Sequence, residues 1–320
     1  MLSSPDPPDA SQLKDDAGKG PIDASDEVAD AAADVDSGLV AIATNAKAFW
    51  IALDATNVYW TDLWLGTVRA CSKTGCGSSP TVLASGQPHP WGIAVDSSNV
   101  YWTNGIVGGT VMQCPLTGCG SAQTVLSASE DHPSSIAVDG TDVYWASAQG
   151  VMKCAIGGCG GNPTVVASQT NAGWIALDSS SVYWTTGDGF VRTCAKDGSA
   201  LKTLASSQSL AEHTAVDATH IYWSTEAGNT DSIMTCALDN CTPTLFASAE
   251  VWPNGLALDD STVYWANNSG TIMKCPKTGC GTVATIVASA QGGAVGVAVD
   301  STSLYWSTEG ADAVMRLTPK

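Results

Sequence analysis

The chain has 320 residues, of which 44% are apolar and 14% charged, and its formal charge is −18. Thirteen basic residues cannot supply the Lys and Arg stripes that a phosphate backbone needs, which argues against nucleic acid as a partner. No run approaches the roughly 20 apolar residues that span a bilayer as a helix.

Residues 1–38 carry ten of the 31 acidic residues against Lys14 and Lys19 of the 13 basic ones, with Pro, Ala, Ser and Gly filling the rest. Such composition predicts a disordered acidic linker, either a spacer between an exported N-terminus and the folded domain or an inert solvated tail. Met1-Leu-Ser-Ser-Pro5 shows no apolar signal core, yet five Cys-x4-Cys pairs further on would not persist as bridges in a reducing compartment, so an export signal is expected to have been trimmed or misassigned. The remaining 21 acidic and 11 basic residues leave −10 on residues 39–320, which are expected to form one domain and a monomer.

That region repeats itself. Tyr-Trp pairs stand at 59/60, 101/102, 144/145, 183/184, 222/223, 264/265 and 305/306, at intervals of 42, 43, 39, 39, 42 and 41 residues. A period of about 40 with Val, Ile, Thr, Tyr and Trp in short runs predicts an all-β, seven-bladed β-propeller. Each blade reads as four antiparallel strands. In the second copy these are Gly92–Asp96, Val100–Thr103, Gly109–Cys114 and Gln123–Leu126. The last copy lacks an outer strand. Val40–Thr44 precede Trp50-Ile-Ala-Leu-Asp54 at the distance by which Thr164–Ser168 precede Trp174-Ile-Ala-Leu-Asp178, so residues 40–44 are expected to complete the seventh blade.

Two inner-strand positions recur in all seven copies. Ala52, Ala94, Ala137, Ala176, Ala215, Ala257 and Ala298 leave room where strands converge on the axis. Asp54, Asp96, Asp139, Asp178, Asp217, Asp259 and Asp300 each precede a tight turn, where a carboxylate accepts backbone N–H bonds two residues on. The aromatic pairs point to opposite faces of their strand and are expected to pack between blades.

Tyr59-Trp-Thr-Asp62 together with Pro90-Trp-Gly-Ile-Ala-Val-Asp96 and Pro253-Asn-Gly-Leu-Ala-Leu-Asp259 resembles the YWTD propeller repeats of low-density-lipoprotein receptors over residues 39–320. The resemblance implies the fold. It does not carry receptor ligands over, because the final Asp is replaced by Asn104, Ser147, Thr186, Thr225, Asn267 or Thr308 elsewhere and that family has six repeats, not seven. Bacterial extracellular propellers with a low-complexity leader and cysteine-clipped hairpins are more similar in style.

Ten of the 11 cysteines form Cys-x4-Cys pairs: Cys71/Cys76, Cys114/Cys119, Cys154/Cys159, Cys236/Cys241 and Cys275/Cys280. Zinc would need two further ligands per site, and the four histidines lie in other loops. Disulfides joining positions across from each other in a hairpin are therefore expected, and with them a secreted, periplasmic or cell-surface location. Cys194 has Ser199 where its partner would stand.

No Gly-x-Ser-x-Gly, His-Glu-x-x-His or phosphate loop occurs. What differs between copies collects in the loop entering each inner strand and the loop after Tyr-Trp, which open on one face. There lie Trp50, Trp64, Trp91, Trp174 and Trp252, with His89, His132 and His213. Acidic residues join them: Asp62, Glu130, Asp131, Asp188, Glu212, Glu226, Asp231, Glu250, Glu309 and Asp312. The leading expectation is a non-catalytic propeller that binds a peptide, protein or glycan through Trp50, Trp64, Trp91, Trp174, Trp252, His89, His132, His213 and Glu212. No cofactor is required, although the carboxylates offer hard oxygen ligands to calcium. A lyase or lactonase similar to streptogramin-lyase and gluconolactonase propellers, working with axial His and carboxylates, is the alternative, and a purely structural surface protein is the third.

Overall fold

A computed structural model describes residues 38–119, 122–168, 171–226, 231–280 and 283–320. The linker expected over residues 1–38 falls, but for Gly38, outside them. Among the described residues the regular structure is 28 strands in seven four-stranded antiparallel sheets, arranged as a seven-bladed propeller. Blades 1 to 7 are numbered by their inner strands: Ile51–Leu53, Pro90–Val95, Ile136–Val138, Ala172–Leu177, Ala211–Val216, Pro253–Leu258 and Ala294–Val299. Each inner strand touches that of the next blade, and the strand of blade 7 touches that of blade 1, which closes the ring.

Blade 7 is completed by the N-terminal strand Leu39–Thr44, one residue longer than expected, with Ala41 opposite Met315 and Thr44 opposite Ala313. The pairing covers what would otherwise be an open edge and holds the two ends of the domain together. The recurrent inner-strand alanine lies across from the tyrosine of the second strand, as in Ala52↔Tyr59 and Ala94↔Tyr101, so a small residue makes room for a large one. All seven Tyr-Trp tryptophans are fully buried between blades. In blades 2, 5, 6 and 7 the indole N–H donates to a side chain fifteen residues earlier, Gln87, Gln208, Glu250 or Gln291, and Trp60 donates to the carbonyl of Ala46.

The recurrent aspartate is structural in every blade. Oδ1 of Asp54 accepts the N–H groups of Thr56 and Asn57, both at 2.6 Å, and the other six repeat this. In blades 1, 2, 4, 6 and 7 Oδ2 accepts the tyrosine hydroxyl five residues on, at 2.6 Å from Tyr59 and 2.7 Å from Tyr101. In four blades a lysine of the following blade reaches the same carboxylate at 2.8 Å: Lys196 to Asp139, Lys277 to Asp217, Lys320 to Asp259 and Lys73 to Asp300. Partial burial pushes Asp217 up, but Lys277 and the N–H groups of Thr219 and His220 outweigh it and hold the group at about 2. The same balance keeps Asp139, Asp259 and Asp300 below the ordinary carboxylate range.

The five expected bridges are present, Cys71–Cys76, Cys114–Cys119, Cys154–Cys159, Cys236–Cys241 and Cys275–Cys280, with Cα separations of 4.9 to 5.6 Å. Their setting differs from the expected hairpin. The first cysteine of each pair ends a third strand and is buried, whereas Cys76, Cys119, Cys159, Cys241 and Cys280 lie in the connection to the outer strand and face no strand partner. The reason is a tight turn at the end of the third strand, in which Gly75, Gly118, Gly158 and Gly279 each donate N–H to the carbonyl three residues earlier. The turn folds the second cysteine back beside the first and against the outer strand of the preceding blade. There the N–H of Cys76 donates to Ile42 and that of Cys119 to Leu83. Sγ of Cys159 lies 3.4 Å from the carbonyl of Leu126 and Sγ of Cys280 3.9 Å from that of Phe246, while Cys241 packs into the cluster that holds Leu204. Each bridge thus stiffens a contact between blades as well as a turn. Cys194 is free and buried, and burial, with Asp197 nearby, pushes its thiol up to about 11.

Two outcomes are expected. Alkylation after denaturation without reduction should label one cysteine, Cys194, and mass spectrometry showing several labelled sites would refute the pairing. The depressed aspartates favour the folded state above an unfolded-state pKa of about 3.9. That contribution is lost as the pH falls through about 2, so Lys277→Met should cost about 0.5–1 kcal/mol at neutral pH and less at acid pH, as urea unfolding at each pH would measure.

Candidate functional site

The chain reaches each inner strand along the axis, so the residues four and five positions before the recurrent aspartate face the centre. In blades 1, 2, 4 and 7 a hydroxyl that follows Tyr-Trp holds the backbone there; blades 3 and 6 have Ala146 and Ala266 instead. Thr103 accepts the N–H of Gly92 in its own blade and donates to the carbonyl of Ser134 in the next. Thr185 does the same with Trp174 and Glu212, and Ser307 with Gly296 and Phe49. The third letter of Tyr-Trp-Thr is therefore a spacer between neighbouring blades at the level of the axis.

Four residues before the aspartate the seven copies read Trp50, Gly92, Ser135, Trp174, His213, Gly255 and Gly296. The glycines are obligatory where the next blade comes close: a Cβ on Gly92 would lie 2.3 Å from the carbonyl oxygen of Ser134, and one on Gly255 2.5 Å from that of Val295. The room they leave is taken by the three large side chains. Ring centroids of Trp50 and Trp174 are 4.3 Å apart, those of Trp174 and His213 4.5 Å, and those of Trp50 and His213 5.0 Å. Since blade 1 stands opposite blades 4 and 5, this triangle crosses the axis and plugs it.

Above the plug lies a funnel of about 510 Å³. Its walls include Phe49, Trp91, Trp174 and Trp252, with the carboxyls of Glu212, Glu226 and Glu309 and the amides of Asn254 and Asn268. Trp91 packs on Phe49 at 4.8 Å and His89 stacks on Trp91 at 5.6 Å, so an aromatic path runs from His89 to His213 through the plug. Trp252 is 52% exposed at the rim.

The rim is built on strained backbone. Seven residues before each aspartate φ is positive in all seven blades: Lys47, His89, His132, Asn171, Leu210, Trp252 and Gly293, of which one is glycine. A bulky residue held there costs of order 1–3 kcal/mol, and such strain clusters at binding sites. At Trp252 the conformation is fixed by Asp231, whose carboxylate accepts its backbone N–H at 3.0 Å.

Electrostatics divide the site in two. His213 is buried, and desolvation pushes it down to about 4 against a hydrogen bond with the backbone of Pro253, so it is neutral at physiological pH. Glu212 is pushed up to about 7, first by burial and then by Glu226 beside it. Glu226 is itself raised by burial and by Asp231, while its hydrogen bond with Glu212 works the other way. The two carboxyls therefore share a proton near neutrality.

Six of the nine residues singled out from sequence meet at this funnel: Trp50, Trp91, Trp174, Trp252, His213 and Glu212. Trp64 does not; it is 77% exposed in an adjoining groove of about 430 Å³ with Lys47, Glu309 and Asp312. His89 and His132 border a hollow of about 270 Å³ behind Trp91, and His132 pairs with Asp131 at 2.8 Å. Among the described residues no three His, Cys, Asp or Glu converge as metal ligands. Of the acidic loop residues, Asp62, Glu130, Asp231 and Glu250 are buried and hold the scaffold, Glu250 accepting the indole of Trp265 and the amide of Asn267. Phe49, Asn254 and Asn268 were not singled out from sequence. Phe49 could have been, since it occupies the repeat position of Trp91.

No protein-family model matches the chain and no curated protein matches its sequence. Solved structures match in fold. A catalytically inactive virginiamycin B lyase from Staphylococcus aureus with quinupristin is 12% identical over 88% of this chain and 98% of that one, with a TM-score of 0.71. The WD40 propeller domain of Doa1 is 15% identical over 88% and 96%, also with a TM-score of 0.71. A chain of the nidogen/laminin complex is 18% identical over 70% and 90%, with a TM-score of 0.56. At these identities the likeness defines the class, a β-propeller, and nothing finer.

A shared proton has a measurable signature. A protonated carboxyl band in difference infrared spectra should disappear with a midpoint of about 7, and Glu226→Gln should move that midpoint down. A raised carboxyl binds its proton more tightly in the folded state, so this pair stabilises at low pH and the contribution is lost as pH rises through about 7. A midpoint in the ordinary glutamate range in the parent protein would contradict the pairing.

Proposed function

We propose that this protein is an exported, non-catalytic binding propeller that takes a peptide or protein partner on its loop-rich face, with the axial funnel as the specific site. The observation that carries the reading is the convergence of Trp50, Trp91, Trp174, Trp252, His213 and Glu212, from five different blades, on one aromatic-walled funnel of about 510 Å³, within the size range of ligand sites. The opposite face is taken up by Asp turns, lysine latches and disulfide-bridged turns. A rigid ring of blades carrying variable loops suits recognition, and another protein of this fold, YCF48, has been solved bound to the D1 peptide. The five disulfides support export, with the acidic residues 1–38 as a spacer.

Catalysis of the lyase type is the second reading, supported by the proton-sharing glutamates. Against it stands the burial of His213 between the indoles of Trp50 and Trp174.

Peptides selected by display against the immobilised protein should lose binding to the Trp91→Ala/Trp252→Ala double variant. That variant should melt within about 5 °C of the parent, most of the loss coming from the packing of Trp91 on Phe49. Selected peptides that bind parent and variant equally would place recognition elsewhere.

A further inference from the structure

The funnel combines two features that together specify a ligand. Its walls are the π faces of Phe49, Trp91, Trp174 and Trp252, and its charge comes from Glu212, Glu226 and Glu309. No Lys or Arg lines it among the described residues. The nearest rim cation, Lys47, is committed to Asp312 at 2.7 Å. Neither Glu226 nor Glu309 has a cationic partner among the described residues, and Glu212 approaches only His213, at 4.0 Å. An aromatic cavity with uncompensated carboxylates attracts an organic cation through ring quadrupoles and charge together.

Resting on the binding reading above, we propose that the funnel captures one Lys or Arg side chain of the partner, the cation held between the indole faces and the Glu212–Glu226 pair. The groups facing that pair are Asp231 beside Glu226, Glu309 across the funnel and His213 against Glu212. His213 stays neutral over the working range, so the pair alone sets the pH response. A cation entering displaces the shared proton, and capture therefore strengthens as pH rises through neutrality and releases protons to the buffer.

The test uses defined probes on the whole chain: the N-acetyl N-methylamides of lysine, arginine and norleucine, n-butylammonium chloride, and calcium chloride alone. Binding is read by tryptophan fluorescence and by calorimetry in two buffers of different ionisation enthalpy. The lysine or arginine amide should bind at least about tenfold more tightly than the norleucine amide and more tightly than butylammonium. Glu212→Gln/Glu226→Gln should remove most of that preference and all of the buffer dependence, with a melting temperature no lower than the parent's at neutral pH. Norleucine binding as tightly as lysine overturns the cation, and butylammonium binding as tightly as the lysine amide overturns the peptide side chain as its source. Calcium binding alone and displacing the lysine amide gives the carboxylates to a metal and also overturns it. Failure of every probe, while display-selected peptides still depend on Trp91 and Trp252, sinks this inference and leaves the binding reading standing; loss of that dependence sinks the binding reading itself.

Discussion

One carboxylate per repeat organises the molecule. The aspartate ending each inner strand spends Oδ1 on the two N–H groups of its turn and, in blades 1, 2, 4, 6 and 7, Oδ2 on the tyrosine of the next strand. This sets where the second strand begins, and hence that Tyr lies across from the small inner-strand Ala and that Trp passes to the other face, between blades. Where a lysine of the next blade joins the same oxygen, the turn also fixes the angle between neighbours. Charge so used is unavailable for a metal or substrate. Seven recurrent carboxylates are therefore architecture, however much their number suggests chemistry.

The two faces then follow different rules. On the turn face every blade repeats the same short connection, and lysines and disulfide-bridged turns reach from one blade to the preceding one. On the opposite face Thr61, Thr103, Thr185 and Ser307, each just after Tyr-Trp, hold the neighbouring blade's backbone at the axis, while the side chains just before the inner strand are free to differ. Variation is tolerated there because the hydroxyl holds main chain to main chain. The backbone of Trp91 and that of Ser134 are fixed alike whatever their side chains do.

Fold and closure were legible because their signals lie within a single period: a Tyr-Trp pair, an Asp before a turn, Cys-x4-Cys, and a missing outer strand supplied by residues 40–44. What escaped lies between periods. The second cysteines, Cys159 and Cys280 among them, read as one arm of a hairpin because the strand they lean on belongs to the preceding copy. The lysine two residues after the first cysteine position, as in Lys73, Lys196 and Lys277, finds its aspartate only when blades are placed side by side. Glu250 reads as one more loop acid, yet it stands fifteen residues before Trp265, where Gln87 and Gln291 stand before their own tryptophans, and it does the same work. Aligning the copies at that offset would have separated such scaffold acids from Glu212 and Glu226, which have no counterpart role in the other blades.

The site itself is a failure of symmetry that closure makes necessary. Seven equal small residues around the axis would leave an open channel, and seven large ones would collide, since at Gly92 and Gly255 even a Cβ meets the next backbone. The axis is filled by an uneven division: large rings from blades 1, 4 and 5, glycine or serine from the rest. Uneven filling places the plug below the rim, so a funnel remains above it, and its wall inherits the indoles that made the plug. Burial under those indoles keeps His213 neutral and raises Glu212. The same crowding that closes the propeller thus buries the axial histidine and leaves above it an aromatic-walled cup lined by Glu212, Glu226 and Glu309.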